Sequence, residues 1–321
     1  MSNSLDNQIN IIVSELPAAV RLDVYLAGLE SLNLTRSFIG TLIEGGEILL
    51  NAKSVKASHK VKNSDAISIN LPPPRILDIL PEAIPLDIIF EDEYLLVLNK
   101  QAGLVVHPSA NTVNGTLVNA LLYHCKDSLS QINGVLRPGI VHRLDKDTTG
   151  LMLACKNDLA HRRLAEQIKS REVERYYQAL VLGNLKETSG SVIKPIGRDP
   201  NDRKRMRTFE TLEHARYAKT NWQLLKRYRY KASQDPFTLL ECKLDTGRTH
   251  QIRVHMNYIK HPIIGDAVYG IEKNKLKAYR PLLHSYKLEF THPITEERLK
   301  FEIDLPEDFK ISLSFLEENL H

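Results

Sequence analysis

His142-Arg-Leu-Asp-Lys-Asp-Thr-Thr-Gly150 runs directly into the apolar stretch Leu151-Met-Leu-Ala-Cys155. A short uninterrupted apolar run behind a polar turn predicts a strand buried on both faces. The turn then hangs from a rigid scaffold, and the acid within it, Asp145, can face a cleft. Gly150 has no Cβ, so a second backbone can approach closely there. Two readings of Asp145 stay open on this segment alone: a turn aspartate capping its own backbone, or a carboxylate held for chemistry.

Working outward, strand-like runs at Leu86–Phe90, Tyr94–Leu98, Tyr176–Leu182 and Thr238–Leu244 alternate with few helical patterns. One helix carries Leu117, Val118, Leu121 and Leu122 on a face; another spans about Asp158–Lys169 with Leu164 and Ile168 stacked. Strands outnumber helices and connections are irregular, which predicts an α+β fold. Tyr177 and Tyr176 point to opposite faces of their strand, and Tyr176 is expected in the core. Ahead of this region, Leu22, Tyr25, Leu26 and Leu29 recur at helical spacing, as do Phe38, Ile39, Leu42 and Ile43. Gly45-Gly46 ends the second helix. Ile48–Leu50 enters a turn at Asn51-Ala-Lys53, and Ile67 and Ile69 alternate with polar neighbours like a half-buried strand. Pro72-Pro-Pro74, Pro81 and Pro85 mark a stiff, extended linker. The expected organisation is a small unit over 18–72, a linker over 73–85 and a larger unit over 86–321.

The chain has 321 residues, 42% hydrophobic and 26% charged, as expected of a globular protein of two domains. Its start lacks the pattern of a signal peptide, and no apolar run is long enough to span a bilayer, so a cytoplasmic protein is expected. Cys125, Cys155 and Cys242 are odd in number and widely spaced, against a disulfide framework or a zinc site. The net charge is +4, yet Arg198–Lys231 alone carries eleven Lys/Arg against four Asp/Glu, leaving −3 for the rest. That concentration is the footprint of a phosphate-backbone binder, or else a solvated basic loop. Lys226-Arg-Tyr-Arg-Tyr-Lys231 interleaves charge with aromatics, suiting either exposed bases or an open sheet face.

Two likenesses fail. His142-Arg143 opens like a kinase catalytic loop, but Leu144 interrupts it and neither a Gly-rich phosphate loop nor Asp-Phe-Gly exists. Asp245-Thr-Gly247 has no second copy to share a proton with, as an aspartic protease requires. What 142–150 does resemble is the H-R-L-D-x-x-T-[ST]-G signature of RluA-type RNA pseudouridine synthases. Further segments resemble the same family in the same order. They are Asn99-Lys-Gln-Ala-Gly-Leu-Val-Val-His-Pro108; Arg175-Tyr-Tyr177 with Ala179, Val181 and Gly183; Thr246-Gly-Arg-Thr-His-Gln-Ile-Arg-Val-His255; and His261-Pro262 with Gly265-Asp-Ala-Val-Tyr-Gly270. Gln101 departs from the family's proline, which loosens a turn. The 21–71 unit resembles an S4 RNA-binding domain, and the whole looks most like the D-type subgroup that acts on large-subunit ribosomal RNA.

The resemblance implies a small S4-like domain joined to a mixed, largely antiparallel β-sheet catalytic domain with flanking helices. It implies isomerisation of uridine to pseudouridine in structured RNA, without metal or cofactor, by a monomer. Asp145 takes the place of the family's catalytic aspartate, by covalent attack or through a glycal. Arg253 takes that of the active-site arginine, and Tyr177 that of the tyrosine that stacks on the target base. Arg143 resembles the arginine that fills the space a flipped base vacates; Arg248 is left between phosphate contact and structural partner. RNA contacts are also expected from Arg21, Arg36 and Lys53 in the small unit, and from a mobile loop holding Arg203, Lys204, Arg205 and Arg207. The alternatives are a synthase acting on transfer RNA or another RNA, and a non-catalytic RNA-binding assembly factor.

Overall fold

The computed structural model describes residues 8–29, 32, 34, 36–71, 79–109, 112–130, 138–202, 204–229, 236–270 and 276–318. Contacts divide the chain into two compact units, Met1–Ile76 and Leu77–His321.

In the first unit, β1 (Gln8–Ile12) and β2 (Val20–Arg21) precede α1 (Leu22–Gly28) and α2 (Arg36–Glu44); β3 (Ile48–Leu50), β4 (Lys60–Val61) and β5 (Ala66–Asn70) follow. The antiparallel sheet has the order β1-β5-β3, and β2 pairs with β4. Leu22 and Leu26 of α1, Ile39, Leu42 and Ile43 of α2, and the inward Ile48, Ile67 and Ile69 form one core. Phe38, one position around the helix from Ile39, falls outside that stripe and is exposed. Gly46 takes φ 77° and lets Glu47 N–H reach the Leu42 carbonyl, closing α2 as the glycine pair predicts. Asn51 and Ala52 both take positive φ, the mirror-image turn that suits the twist of a hairpin. Where the sequence reading opened this unit at 18, the structure adds β1, aligned so that Ile9 and Ile11 face Ile69 and Ile67.

The second unit contains β6 (Asp87–Glu91), β7 (Leu95–Lys100), α3 (Leu117–Cys125), β8 (Thr149–Cys155), α4 (Asp158–Ser170) and β9 (Glu174–Leu182). Then come β10 (Ser189–Ile193), β11 (Ile196–Arg198), β12 (Met206–Thr208), β13 (Lys219–Arg229), β14 (Pro236–Leu244), α5 (Gln251–Tyr258), β15 (Leu283–Thr291), β16 (Arg298–Glu302) and α6 (Glu307–Glu318). Nine strands form one sheet in the order β10-β13-β14-β9-β15-β8-β7-β6, with β16 beside β15. Every pairing is antiparallel except β15 with β8. The fold is thus α+β with a large, mostly antiparallel sheet.

All seven residues of β8 are buried, as its apolar run predicts. Met152 and Ala154 face α3 through Leu117, Val118 and Leu121, whereas Leu151, Leu153 and Cys155 face Leu164 of α4 together with Leu288 and Phe290. Gly150, at φ 114°, lies so close to β15 that a Cβ would fall 2.2 Å from the Ser285 carbonyl oxygen. That contact anchors the turn carrying Asp145. Of the expected linker, 73–78 lies outside the described residues. The remainder packs: Ile79 and Ile84 join the main core, and Asn119 Nδ2 donates to the Leu80 carbonyl (2.8 Å).

Candidate active site

The turn 142–148 is fixed from beneath. His142 Nε2 accepts Leu153 N–H (2.9 Å), tying the turn to β8. Lys100, fully buried at the end of β7, donates to the carbonyls of Gln101, Leu104 and Lys146 at 2.9, 3.0 and 2.9 Å. Burial pulls its ammonium down to about 8, against the nearby Asp147 and Asp145 charges that favour protonation. The Asp145 carbonyl accepts Thr148 N–H (3.2 Å), so the backbone closes the turn. The Asp145 carboxylate is left to reach across to α5.

There Arg253 Nη1 donates to Asp145 Oδ2 at 3.0 Å, a contact between residues 108 apart in sequence. The other edge of the guanidinium forks onto Asp266, Nε to Oδ2 at 2.7 Å and Nη2 to Oδ1 at 2.8 Å. Asp266 is buried, and its Oδ1 also accepts the N–H groups of Val268 and Tyr269. Burial works against the charge of Arg253, but the two carboxylates outweigh it and raise its pKa above the ordinary arginine value. The Tyr269 ring lies 5.1 Å beneath the guanidinium. Arg253 is thus held on three sides and presents Asp145 to an open space.

That space is a cavity of about 810 Å³ lined by Arg143, Asp145, Arg175, Tyr177, Arg248 and Arg253, among others. Tyr177 enters from β9; burial raises its phenol pKa, opposed by Arg175 and by a hydrogen bond with Ser285. Tyr176 corrects an expectation. It lies on the other face, only half-buried, with Lys287 and Lys243 over its ring at 4.4 and 5.1 Å and its hydroxyl on Glu174 at 2.7 Å. Alternation gave the two tyrosines opposite faces, but the face Tyr176 occupies is polar at this end of β9. Arg143 is exposed at the cavity mouth, where it also borders a smaller hollow of about 330 Å³ on the other side of Asp145. Arg248 is half-buried and donates through Nε to the Tyr217 carbonyl (3.0 Å). Burial, then Arg216, lowers its pKa.

The expected catalytic residues Asp145, Tyr177 and Arg253, with Arg143 and Arg248, therefore line one cavity. The basic segment is not a plain loop: β11 and β12 form a hairpin, with Arg207 paired to Gly197. Lys204 and Arg205 are exposed, and Arg203 lies outside the described residues. Of 226–231, Tyr228 is buried against Phe309 and Lys226 pairs with Glu317 at 2.5 Å, the pattern of a sheet face; Tyr230 and Lys231 lie outside the described residues. In the first unit Arg21 and Arg36 converge on Asp23, and Lys53 is exposed. The sequence reading missed Asp266, Tyr269, His250 and Lys100 as site residues. All four lie inside segments quoted above, but spacing alone does not say which side chain meets which. Among the described residues, no group of three or more His, Cys, Asp or Glu is placed to hold a metal ion, and no helix is long and apolar enough to cross a membrane.

The chain is similar to known proteins over most of its length. A family model for RNA pseudouridylate synthase matches residues 94–258, the span that holds Asp145, Tyr177 and Arg253. The chain is 44% identical over 313 residues to the uncharacterized RNA pseudouridine synthase YlyB of Bacillus subtilis (strain 168), covering 98% of this chain and 99% of that one. It is 40% identical over 305 residues to ribosomal large subunit pseudouridine synthase D of Zymomonas mobilis subsp. mobilis, covering 92% and 93%. Among solved structures, human RNA pseudouridylate synthase domain containing 4 superposes with a TM-score of 0.54 at 28% identity, covering 72% of this chain and 93% of that one. A chain with this sheet, this cavity and these relatives belongs to the RNA pseudouridine synthase family.

Proposed function

We propose that this synthase isomerises uridine within large-subunit ribosomal RNA, with Asp145 acting on the ribose of a flipped nucleotide. The observation that carries this is the state of the carboxylates in the cavity. Asp245, which also lines it, is tied up by Lys219 (3.0 Å) and Asn221 (2.8 Å). Asp145 is held through Oδ2 alone, and Oδ1 accepts no hydrogen bond among the described residues. One oxygen is anchored and the other is offered.

The reaction breaks the bond between N1 and C1′ and makes one between C5 and C1′; C5 loses a hydrogen and N1 gains one. Asp145 Oδ1 either attacks C1′ or takes the hydrogen at C2′, while Arg253 holds the other oxygen in place. Tyr177 stacks on the uracil while it turns, its hydroxyl placed to help remove the C5 proton. The base must leave the RNA stack to reach this depth, and Arg143 at the mouth fills the vacated place, its planar guanidinium suited to stacking. Arg248 and the hairpin residues Lys204, Arg205 and Arg207, with Arg203, meet the RNA backbone. The first unit acts as an S4-like RNA-binding domain through Arg21, Arg36 and Lys53. Since Asp145, Arg253 and Tyr177 come from one chain, a monomer suffices. Ribosomal RNA is the preferred substrate because relatives matched over the full chain are named for the large subunit. Pseudouridines mapped chemically in cells with and without the gene should differ at sites in large-subunit RNA. Loss confined to transfer RNA would overturn that assignment.

A further inference from the structure

His250 is the last residue before α5, and it takes the left-handed conformation there (φ 57°). Few non-glycine residues enter that region, histidine more readily than most, and the His250 ring lines both hollows that flank Asp145. Nδ1 lies 2.8 Å from the Tyr269 hydroxyl, and Nε2 lies 4.0 Å from Asp145 Oδ1. The Tyr269 oxygen already accepts Met206 N–H at 2.8 Å. Its own proton finds a partner only if it points at Nδ1, because otherwise a largely buried hydroxyl proton is left unpaired. Nδ1 is then the acceptor and Nε2 carries the ring hydrogen. The ring is largely desolvated, and burial, against the pull of Asp145, keeps its pKa below the ordinary value, which favours this neutral form.

An N–H therefore points beside the offered oxygen of Asp145, yet 4.0 Å is too long for a hydrogen bond between them. A reacting carbon held about 3–3.5 Å from Oδ1 on the side that faces His250 brings an atom bonded to it within hydrogen-bond reach of Nε2. In a ribonucleoside the 2′-hydroxyl lies on the ring face opposite the base, the face from which in-line displacement at C1′ must come. If Oδ1 instead takes the hydrogen at C2′, the 2′-oxygen is on that same carbon. The ring oxygen is a poor partner, since it gains positive charge as the glycosidic bond opens.

We propose that His250 is a substrate-binding residue whose Nε2–H donates to the 2′-oxygen of the target nucleotide, and that Tyr269 is a positioning residue that fixes the ring for it. This rests on Asp145 being the carboxylate that meets the ribose. The 2′-hydroxyl is what separates RNA from DNA at a single nucleotide, so this contact supplies discrimination where the chemistry takes place.

The test is a substrate-by-variant cycle under single-turnover conditions with excess enzyme. The probe is a stem-loop with one target uridine, made with ribose or with 2′-deoxyribose at that position only, and product is read by chromatography of digested nucleosides. The ribose-over-deoxyribose rate ratio should shrink by about tenfold in His250→Ala, the worth of one neutral hydrogen bond. His250→Gln, whose amide can donate, should restore part of it. Tyr269→Phe keeps the ring under Arg253 and removes only the hydroxyl; its ratio should fall in the same direction. A ratio unchanged in both His250→Ala and Tyr269→Phe, whatever the absolute rates, overturns the proposal. Pseudouridine made by Asp145→Asn on the ribose substrate would instead remove the reading of Asp145, a separate result. A loss of rate that leaves the ratio intact marks His250 as structural.

Discussion

The two units each build a cluster from arginine and aspartate, with the numbers reversed. In the first, one aspartate serves two arginines: Asp23 takes Arg21 Nε at 2.9 Å and Nη2 at 3.0 Å, and Arg36 Nε at 2.9 Å. The acid side chain is 8% exposed and the arginines 46% and 56%. In the second, one arginine serves two aspartates: Arg253 is 8% exposed, Asp266 is 0% and Asp145 is 18%. The first cluster saturates its acid and shows solvent a net positive charge. The second saturates its base and leaves one carboxylate oxygen over. Residue type is the same in both; which partner is in excess, and which is buried, decides what each cluster presents.

The sharpest way to break the comparison is the same substitution in both places. Asp145→Asn should abolish pseudouridine formation while RNA affinity stays within a few-fold, because shape persists and charge does not. Asp23→Asn should leave the rate on a short stem-loop intact. Product made at more than a trace by Asp145→Asn, or a collapse of rate in Asp23→Asn, would erase the distinction. Next in size is Arg253→Lys. An ammonium cannot fork onto Asp266 while also reaching Asp145, and a displacement of about 1 Å at a reacting group can cost on the order of a hundredfold. Single-turnover rates should therefore drop by about that factor, and Tyr177→Phe should also lose most activity. A fully active Arg253→Lys would show that Asp145 needs no fork behind it.

Much of this architecture was legible in the chain. The helix stripes around Leu22–Leu26 and Ile39–Ile43 and the buried run of β8 carry their period in the residues themselves, because each is set by local geometry and burial. What stayed hidden depends on distant segments meeting. Nothing around Asp266 says that its carboxylate faces Arg253 and not solvent. Tyr176 shows the limit of alternation, which separates two faces without saying which is polar. The hairpin formed by β11 and β12 looks like a loop in the sequence because three residues per strand give too short a pattern to count.

A smaller effect concerns acid, and it should separate the units. Burial, then Arg175, pulls His142 down to about 3; burial, then Arg280, pulls His284 down to about 4. Both fall below the ordinary 6.5, so the unfolded chain takes up protons first as pH drops. Stability of the second unit is then lost from about pH 6.5 downward, by up to about 1.4 kcal/mol per pH unit for each histidine. Asp23 behaves differently: the hydrogen bond from Arg21, against burial, sets it at about 2. Its contribution is present above the ordinary 3.8 and fades only as pH falls through about 2. Hydrogen exchange at pH 7 and pH 5, corrected for intrinsic rates, should show β8 and β15 losing more protection than α1 and α2. His142→Gln should reduce that difference, and equal loss in both units would refute the assignment.

The smallest expected effect tests whether the first cluster faces phosphate. Replacing Arg21 and Arg36 by Gln should flatten the slope of log affinity against log salt for long ribosomal RNA by roughly 1.5 units, at about 0.7–0.9 per phosphate contact. An unchanged slope would leave the exposed arginines without that role, and the contrast would reduce to one of burial.

The ion pair between Asp145 and Arg253 joins positions 108 residues apart, and β15, which lies between β8 and β9 in the sheet, is made later still. At a synthesis rate of about 5–20 residues per second, the aspartate leaves the peptidyl transferase centre roughly 5–20 s before its arginine. During that interval the nascent chain holds Asp145 without the guanidinium that positions it, and a strand whose parallel neighbour has not been translated. The ion pair that holds Asp145 is therefore assembled only after both segments have been translated.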